Sequence, residues 1–297
     1  MGADQSVIRE EKLNKAKSEI RSKNPVQVTF PGYKDARQDF LEKEKNVAFI
    51  IRQIPSLTQK AVGKALEAAK VAGPPGTAAA INILLTLCGV ESAESIKRAL
   101  LFLKVKEMVI QTAHTFIKAK MEGIERHLKL ALDGEQPEIH LSHADSSCFE
   151  ILSMYSNPDS YLRQNPMAFA PFLTSFVAVY LSVIQMYYSL NKTQKRRQDI
   201  RRNLETLRQV IENVRSETVN ARLVNYIKVI DISSIQGVGT IYLNDNLTEK
   251  QIYKQDHFMG PPIFNRVKSW YQEEIRSEYY NYFQTVFDSV NDLLKSF

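Results

Sequence analysis

Residues 166–190 read PMAFAPFLTSFVAVYLSVIQMYYSL, within a run, 164–191, that contains no acidic or basic residue. As a helix the segment makes about seven turns. A helix that is apolar on all sides is enclosed by other helices or by lipid, and about 20 residues suffice to span a bilayer. Polar side chains such as Thr174, Ser182 and Gln185 favour protein neighbours, because buried polar groups need hydrogen-bonding partners. The sequence therefore predicts the central helix of a helical bundle that can also insert into a membrane.

The part of this run that would contact lipid consists of large apolar side chains that follow a proline. The candidate membrane-insertion residues are Pro171, Phe172, Leu173, Phe176, Val177, Val179, Leu181 and Ile184. A basic cluster comes directly after the run and could bind lipid headgroups at the end of the inserted helix. Its members are Lys192, Lys195, Arg196, Arg197, Arg201 and Arg202. The alternative interpretation of this basic cluster is a solvated helix face.

The first six residues, MGADQS, match the signal for N-myristoylation of Gly2. Basic residues between 9 and 23 would supply the second signal that stable membrane attachment requires. The alternative is an exposed N-terminal helix without lipid, because Glu10, Glu11 and Glu19 dilute the positive charge. The helix is predicted to end before Pro25. We expect no signal peptide, since this stretch lacks an apolar centre, and a cytoplasmic or membrane-associated protein.

Amino-acid composition and net charge limit the classes of function that the chain can have. The chain has 297 residues, of which 44% are hydrophobic, and a net charge of +6. The excess of cations suits anionic membrane surfaces, and no basic and aromatic interleaving typical of nucleic-acid binding is present. Two cysteines, Cys88 and Cys148, make no disulfide framework and favour a reducing compartment. No catalytic arrangement of residues emerges, so we expect no enzyme, no cofactor and no small-molecule substrate.

Hydrophobic periodicity predicts the elements around the central helix. Covering helices are expected within 35–70, followed by a short apolar helix over 77–88 and a long amphipathic helix from 92 to about 131. Beyond it we predict a loop over 133–147, a short helix over 149–155, a charged helix after 191, strand character at 237–246, a loop through 260–262 and a closing helix over about 263–294. The predicted class is all-α, an elongated helical bundle with at most a small β-hairpin near 236–246. Residues 1–34 would form a basic arm and linker, and 35–297 a single domain.

Histidines in two parts of the sequence allow either a functional or a structural interpretation. His114 shares the apolar seam of the amphipathic helix with Glu107 and is either a pH sensor or a hydrogen-bonded interhelical residue. His140, His143 and Cys148 could suggest zinc, but three ligands in loose spacing favour exposed loop residues. We therefore expect no metal site.

The order of elements resembles the N-terminal domain of insecticidal delta-endotoxins. Pro171-Phe-Leu-Thr-Ser-Phe-Val-Ala178 is similar to the family's central helix, and Arg276-Ser-Glu278 with Thr285-Val-Phe-Asp288 is similar to its last helix. In that family amphipathic helices ring a hydrophobic helix, and part of the bundle inserts into membrane to form a pore. The chain resembles to a comparable degree the long-helix pore formers of the cytolysin type and small vertebrate cytosolic proteins related to the toxin bundle.

The resemblance, over roughly residues 40–297, implies a membrane-active bundle. Its partners would be membrane lipids with anionic headgroups, and we also expect homo-oligomerisation on the membrane. The competing hypothesis is a soluble, non-catalytic interaction or scaffold bundle that is tethered by myristate on Gly2 and never opens.

Overall fold

The computed structural model describes residues 2–30, 108–190, 192–233, 239–256 and 261–297. Within these ranges the protein is mostly helical and has one small antiparallel sheet. The helices are α1 (Gly2–Lys23), α2 (Met108–Leu132), α3 (Pro137–Ser156), α4 (Tyr161–Gln164), α5 (Pro166–Leu190), α6 (Gln194–Tyr226) and α7 (Pro261–Leu294), and the strands are β1 (Ile227–Ser233), β2 (Gly239–Asp245) and β3 (Lys250–Asp256). The predicted helical majority is confirmed.

Several predicted elements fall outside the described residues. These are the covering helices within 35–70, the short apolar helix over 77–88 and the first part of the amphipathic helix, 92–107. The structure likewise does not describe the side chains of Glu107, His114 and Cys88.

The chain divides into two compact units, and both α6 and α7 contribute residues to each. The smaller unit comprises 1–29 and 218–281, and the larger comprises 30–217 and 282–297. The predicted division into 1–34 and 35–297 stays a prediction.

In the smaller unit, the sheet has the order β1-β2-β3 with antiparallel neighbours. Ile227 pairs with Asp245 and Thr240 with Asp256, with an irregularity in register between Leu243 and Asn244. The helix α1 contacts β3 and buries Leu13, Ala16 and Ile20, whose spacing of three and four residues places them on one face. The β-hairpin predicted near 236–246 is therefore only the middle of a three-stranded sheet.

In the larger unit, α2 and α3 pack against each other, and α3 also packs against α4 and α5. Contacts from Lys120 to Glu150 and from His127 to His140 show that α2 and α3 run antiparallel. A short connection joins the two helices, and Gly134 and Gln136 in it adopt positive φ angles of 84° and 38°.

The loop predicted over 133–147 is wrong, because α3 already begins at Pro137. Proline is tolerated in the first turn of a helix, where its missing N–H has no intrahelical acceptor. Leu141, Ala144 and Cys148 then recur at helical spacing and are buried, while the polar side chains between them face outward. The polar composition of this stretch reflects one exposed helix face and not a loop.

Candidate functional site

The helix α5 is the candidate site, and the predicted helix over the uncharged run is confirmed. In the described part of the chain it is the one helix long and apolar enough to cross a membrane, and 93% of its apolar window is buried. The core helix of a soluble protein can be equally long, apolar and buried. Seven of the predicted insertion residues are at most 4% exposed: Phe172, Leu173, Phe176, Val177, Val179, Leu181 and Ile184. Pro171 lies within the same helix, and its side chain is outside the description.

Aromatic rings form a ladder along α5. Phe172 stacks on Tyr155 of α3 with centroids 6.4 Å apart, and on Phe176, one helical turn further, at 6.2 Å. Phe176 in turn stacks on Tyr180 at 5.7 Å. Each such pair contributes about 0.5–1.5 kcal/mol beyond the burial of area. The ladder therefore ties α3 to the face of α5 that it covers.

Several polar groups at α5 have protein partners. The Tyr155 hydroxyl donates a hydrogen bond of 2.8 Å to the carbonyl oxygen of Phe169. The Thr174 hydroxyl lies 3.1 Å from the hydroxyl of Tyr282 in α7, and Ser182 is also buried and engaged. Because these groups would lose their partners in lipid, they stabilise the enclosed state of α5.

Two ionisable groups, Cys148 of α3 and Tyr180 of α5 itself, are kept neutral. Burial raises the pKa of the Cys148 thiol well above its ordinary value, and the charge of Asp145 adds to the shift. Burial likewise raises the pKa of the Tyr180 phenol, again with a contribution from Asp145. A buried thiol with a raised pKa is inert, so Cys148 has the properties of a core residue and not of a nucleophile.

The basic cluster divides into cations with partners among the described residues and exposed cations without them. Arg196 donates to Asp145 at 3.0 Å, and its guanidinium lies 3.4 Å from the ring centroid of Tyr187. Arg197 donates to the carbonyl oxygen of Phe297 at 2.8 Å, and Arg201 pairs with Glu205 at 3.4 Å. Lys192, Lys195 and Arg202 are exposed and form no ion pair with described residues.

The ion pair of Arg196 shows competing electrostatic effects. Burial raises the pKa of the Asp145 carboxyl, while the charge and hydrogen bond of Arg196 oppose that increase. Removal of Arg196 to a lipid headgroup would leave this half-buried carboxylate alone, so the three exposed cations are the readier headgroup ligands.

Gly2 is the first residue of α1, and the predicted end of that helix before Pro25 is confirmed. The basic residues that follow are partly engaged within the smaller unit. Arg21 pairs with Glu274 at 2.6 Å, with its guanidinium 5.2 Å from the centroid of Trp270. The acidic residue Glu10 pairs with Arg266 at 2.7 Å.

Sequence reasoning missed two buried arginines. Arg163, just before α5, makes a two-pronged ion pair with Glu217 and donates to the carbonyl oxygen of Tyr155 at 2.9 Å. Arg222 pairs with Asp245 inside the smaller unit. Ile211, Val214 and Thr218 of α6 are buried at helical spacing, and Arg222 continues this buried face four residues after Thr218. A cation at such a position is the signal that could have revealed it.

No protein-family model, curated protein or solved structure matches the chain. The resemblance to the delta-endotoxin bundle therefore stays a hypothesis that depends on the residues quoted above.

Proposed function

We propose that the protein is a membrane-active helical bundle whose apolar helix α5 inserts into anionic membranes after the covering helices move away. One observation carries the proposal: an uncharged helix of 25 residues is buried beneath α3 and is followed by exposed cations. That order suits a span whose end stays at lipid headgroups. The bundle arrangement around α5, a pore like that of the delta-endotoxin domain, and homo-oligomerisation on the membrane are parts of this proposal.

The aromatic ladder and the buried hydroxyls stabilise the closed form and therefore oppose the insertion of α5. The covering contacts of α3 and α7 must be broken before α5 meets lipid, and its polar groups must find partners in an oligomer or near the interface. Insertion is therefore expected only under conditions that weaken the contacts of α3 and α7 with α5.

A pair of identical substitutions tests which helix enters the membrane. Val177 of α5 and Val290 of α7 are both fully buried in the larger unit. Replacement by Asn should destabilise the closed fold at either position, by about 1–3 kcal/mol. In the bilayer, only Val177→Asn puts an amide on the inserted helix, so we expect leakage of dye from anionic vesicles to fall about tenfold.

Val290→Asn is the matched control, because it weakens the closed form without changing α5. Its leakage should equal or exceed that of the unchanged protein. Equal losses of leakage in both variants would contradict the insertion of α5.

The alternative function is a soluble interaction or scaffold bundle held at a membrane by myristate on Gly2. The almost complete burial of α5 favours it, since a helix that never leaves the core needs no other explanation. An acyl group in the mass of protein from a eukaryotic host, together with no leakage from any vesicle, would support this alternative.

A further inference from the structure

Three of the five histidines of the chain meet between α2 and α3. His127 of α2 faces His140 and His143, which lie three residues apart on one face of α3. The Nδ1 atoms of His127 and His140 are 3.1 Å apart. The ring of His127 lies 5.3 Å from that of His140 and stacks on that of His143 at 5.0 Å.

This geometry depends on the protonation state. A hydrogen bond between two Nδ1 atoms needs one donor and one acceptor, so one of the two imidazoles must be neutral with a free lone pair. When both rings are protonated, both Nδ1 atoms are donors and the two positive rings repel each other. The third ring, stacked on His127, adds to the repulsion when it carries a charge.

The surroundings of His127 also disfavour a positive charge. Burial lowers the pKa of His127, and the positive charges of His143, His140 and Arg126 lower it further. No carboxylate of the described residues contributes to this shift. The acidic residues of the two helices are engaged, with Glu150 on Lys120, Asp145 on Arg196, and Glu122, Glu125 and Glu138 each in another interaction.

Among the described residues, α4 and α5, which also pack on α3, supply no compensating charge, and Arg196 of α6 is paired with Asp145. The helix α5 has no acidic or basic residue, and its Tyr180 is kept neutral by burial. Arg163 of α4 is engaged by Glu217. In the described part of the chain, no three His, Cys, Asp or Glu side chains are placed to hold a metal ion. We therefore consider protonation of the three histidines as the event that changes the cluster.

We propose that His127, His140 and His143 form an acid-sensitive latch, which holds α2 against α3 at neutral pH and releases the two helices when the cluster takes up protons. Since the pKa of His127 is lowered in the folded protein, the stabilisation is complete above the ordinary histidine value of about 6.5 and decreases as the pH falls below it. The latch is a property of the soluble protein. Only its use as the trigger that uncovers α5 rests on the proposed function.

The test compares the unchanged protein with a variant that carries His127→Gln, His140→Gln and His143→Gln, and with His257→Gln as a control that keeps these three histidines. Between pH 7.5 and 5.5, we expect the Tm of the unchanged protein and of the control to fall about 3 °C more than that of the triple variant. Amide exchange over residues 124–145, corrected for its intrinsic pH dependence, should accelerate in the same two proteins only.

A second measurement needs no variant. Histidine NMR signals of the unchanged protein should titrate with a midpoint for His127 below about 6.5. A midpoint at or above that value, or equal losses of Tm in the triple variant and the control, would overturn the latch. So would a rise in Tm on addition of zinc at pH 7.5 that the triple variant lacks, because the cluster would then be a metal site. Vesicle leakage plays no part in these outcomes, so failure of the latch and failure of the insertion hypothesis are distinguishable.

Discussion

Arg222 is the largest of the fully buried side chains in the described residues, at 1% exposed. Its Nη2 donates to Asp245 Oδ2, which also accepts the Tyr271 hydroxyl at 3.2 Å. Asp245 Oδ1 accepts the backbone N–H groups of Leu247 and Thr248 at 3.1 and 3.3 Å. The carboxylate therefore has more partners than the guanidinium that it pairs with.

Two opposing effects act on the pKa of Arg222 in its pair with Asp245. Burial disfavours the charged form of Arg222, but the hydrogen bond to Asp245 and the neighbouring phenols outweigh that effect, and the pKa of the guanidinium is raised. Burial also raises the pKa of Tyr271, which keeps its hydroxyl as a donor to Asp245. The pair joins α6 to the end of β2, where the chain turns toward β3.

The unequal number of partners predicts unequal costs of substitution. Asp245→Ala would leave a buried cation and two backbone donors unpaired, so we expect a loss of about 3–5 kcal/mol in the free energy of unfolding. Arg222→Met leaves a carboxylate with three remaining hydrogen bonds, and should cost about 1–2 kcal/mol. Urea unfolding at pH 7 measures both, and a larger loss for Arg222→Met would contradict this account of the pair.

At the scale of elements, helices with an uninterrupted apolar pattern could be predicted from the sequence. The uncharged helix α5 and the closing helix α7 are confirmed within a few residues of their predicted ends, and the charged helix predicted after 191 begins at Gln194. Their signals are local, because each side chain on the buried face recurs every three or four residues over many turns.

Elements that depend on pairing with distant residues could not be predicted in this way. The strand β1 follows α6 without a turn residue, and its apolar Val229, Ile230 and Ile232 are exposed, so no alternation of buried and exposed residues marks it. The strand β3 reads KQIYKQD and is mostly polar, and its pairing with β2 defines it.

The same limit applies to the sites. The burial of the proposed insertion residues could be predicted because the whole run is uncharged and mostly apolar. The engagement of Arg196 could not, because its partner Asp145 lay in a predicted loop with no defined face. The contacts of His127 with α3 likewise depend on how two helices align, which periodicity within one helix does not fix.

The connection between α2 and α3 gives a prediction at this scale. Gln136 has a φ of 38°, a left-handed conformation that costs a residue with a Cβ about 1 kcal/mol, whereas Gly134 meets the same need without strain at a φ of 84°. Gln136→Gly should therefore raise the free energy of unfolding by roughly 0.5 kcal/mol, and Gly134→Ala should lower it by about 1 kcal/mol. Chemical denaturation measures both, and changes of the same sign would show that the connection does not constrain the fold.

At the scale of the whole molecule, the net charge of +6 matters through the exposed cations that form no ion pair with described residues. Arg196 and Arg201 belong to the basic cluster but are already paired, so their charge is partly cancelled within the protein. Lys192 just before α6, and Lys195 and Arg202 within it, are exposed two to twelve residues beyond the end of α5 at Leu190. Their position, and not the total charge, should decide how the protein meets an anionic surface.

Two triple variants with the same net charge test this statement. Replacement of Lys192, Lys195 and Arg202 by Gln should weaken binding to anionic vesicles about 100-fold, since each cation near such a surface contributes about 1 kcal/mol. Replacement of the exposed sheet lysines Lys228, Lys250 and Lys254 by Gln removes as many charges from another part of the chain and should weaken binding much less. Vesicle sedimentation at one fixed salt concentration measures both affinities, because screening changes the size of the effect. Equal losses would mean that net charge alone attracts the protein, and the assignment of headgroup contacts to the residues after α5 would then be wrong.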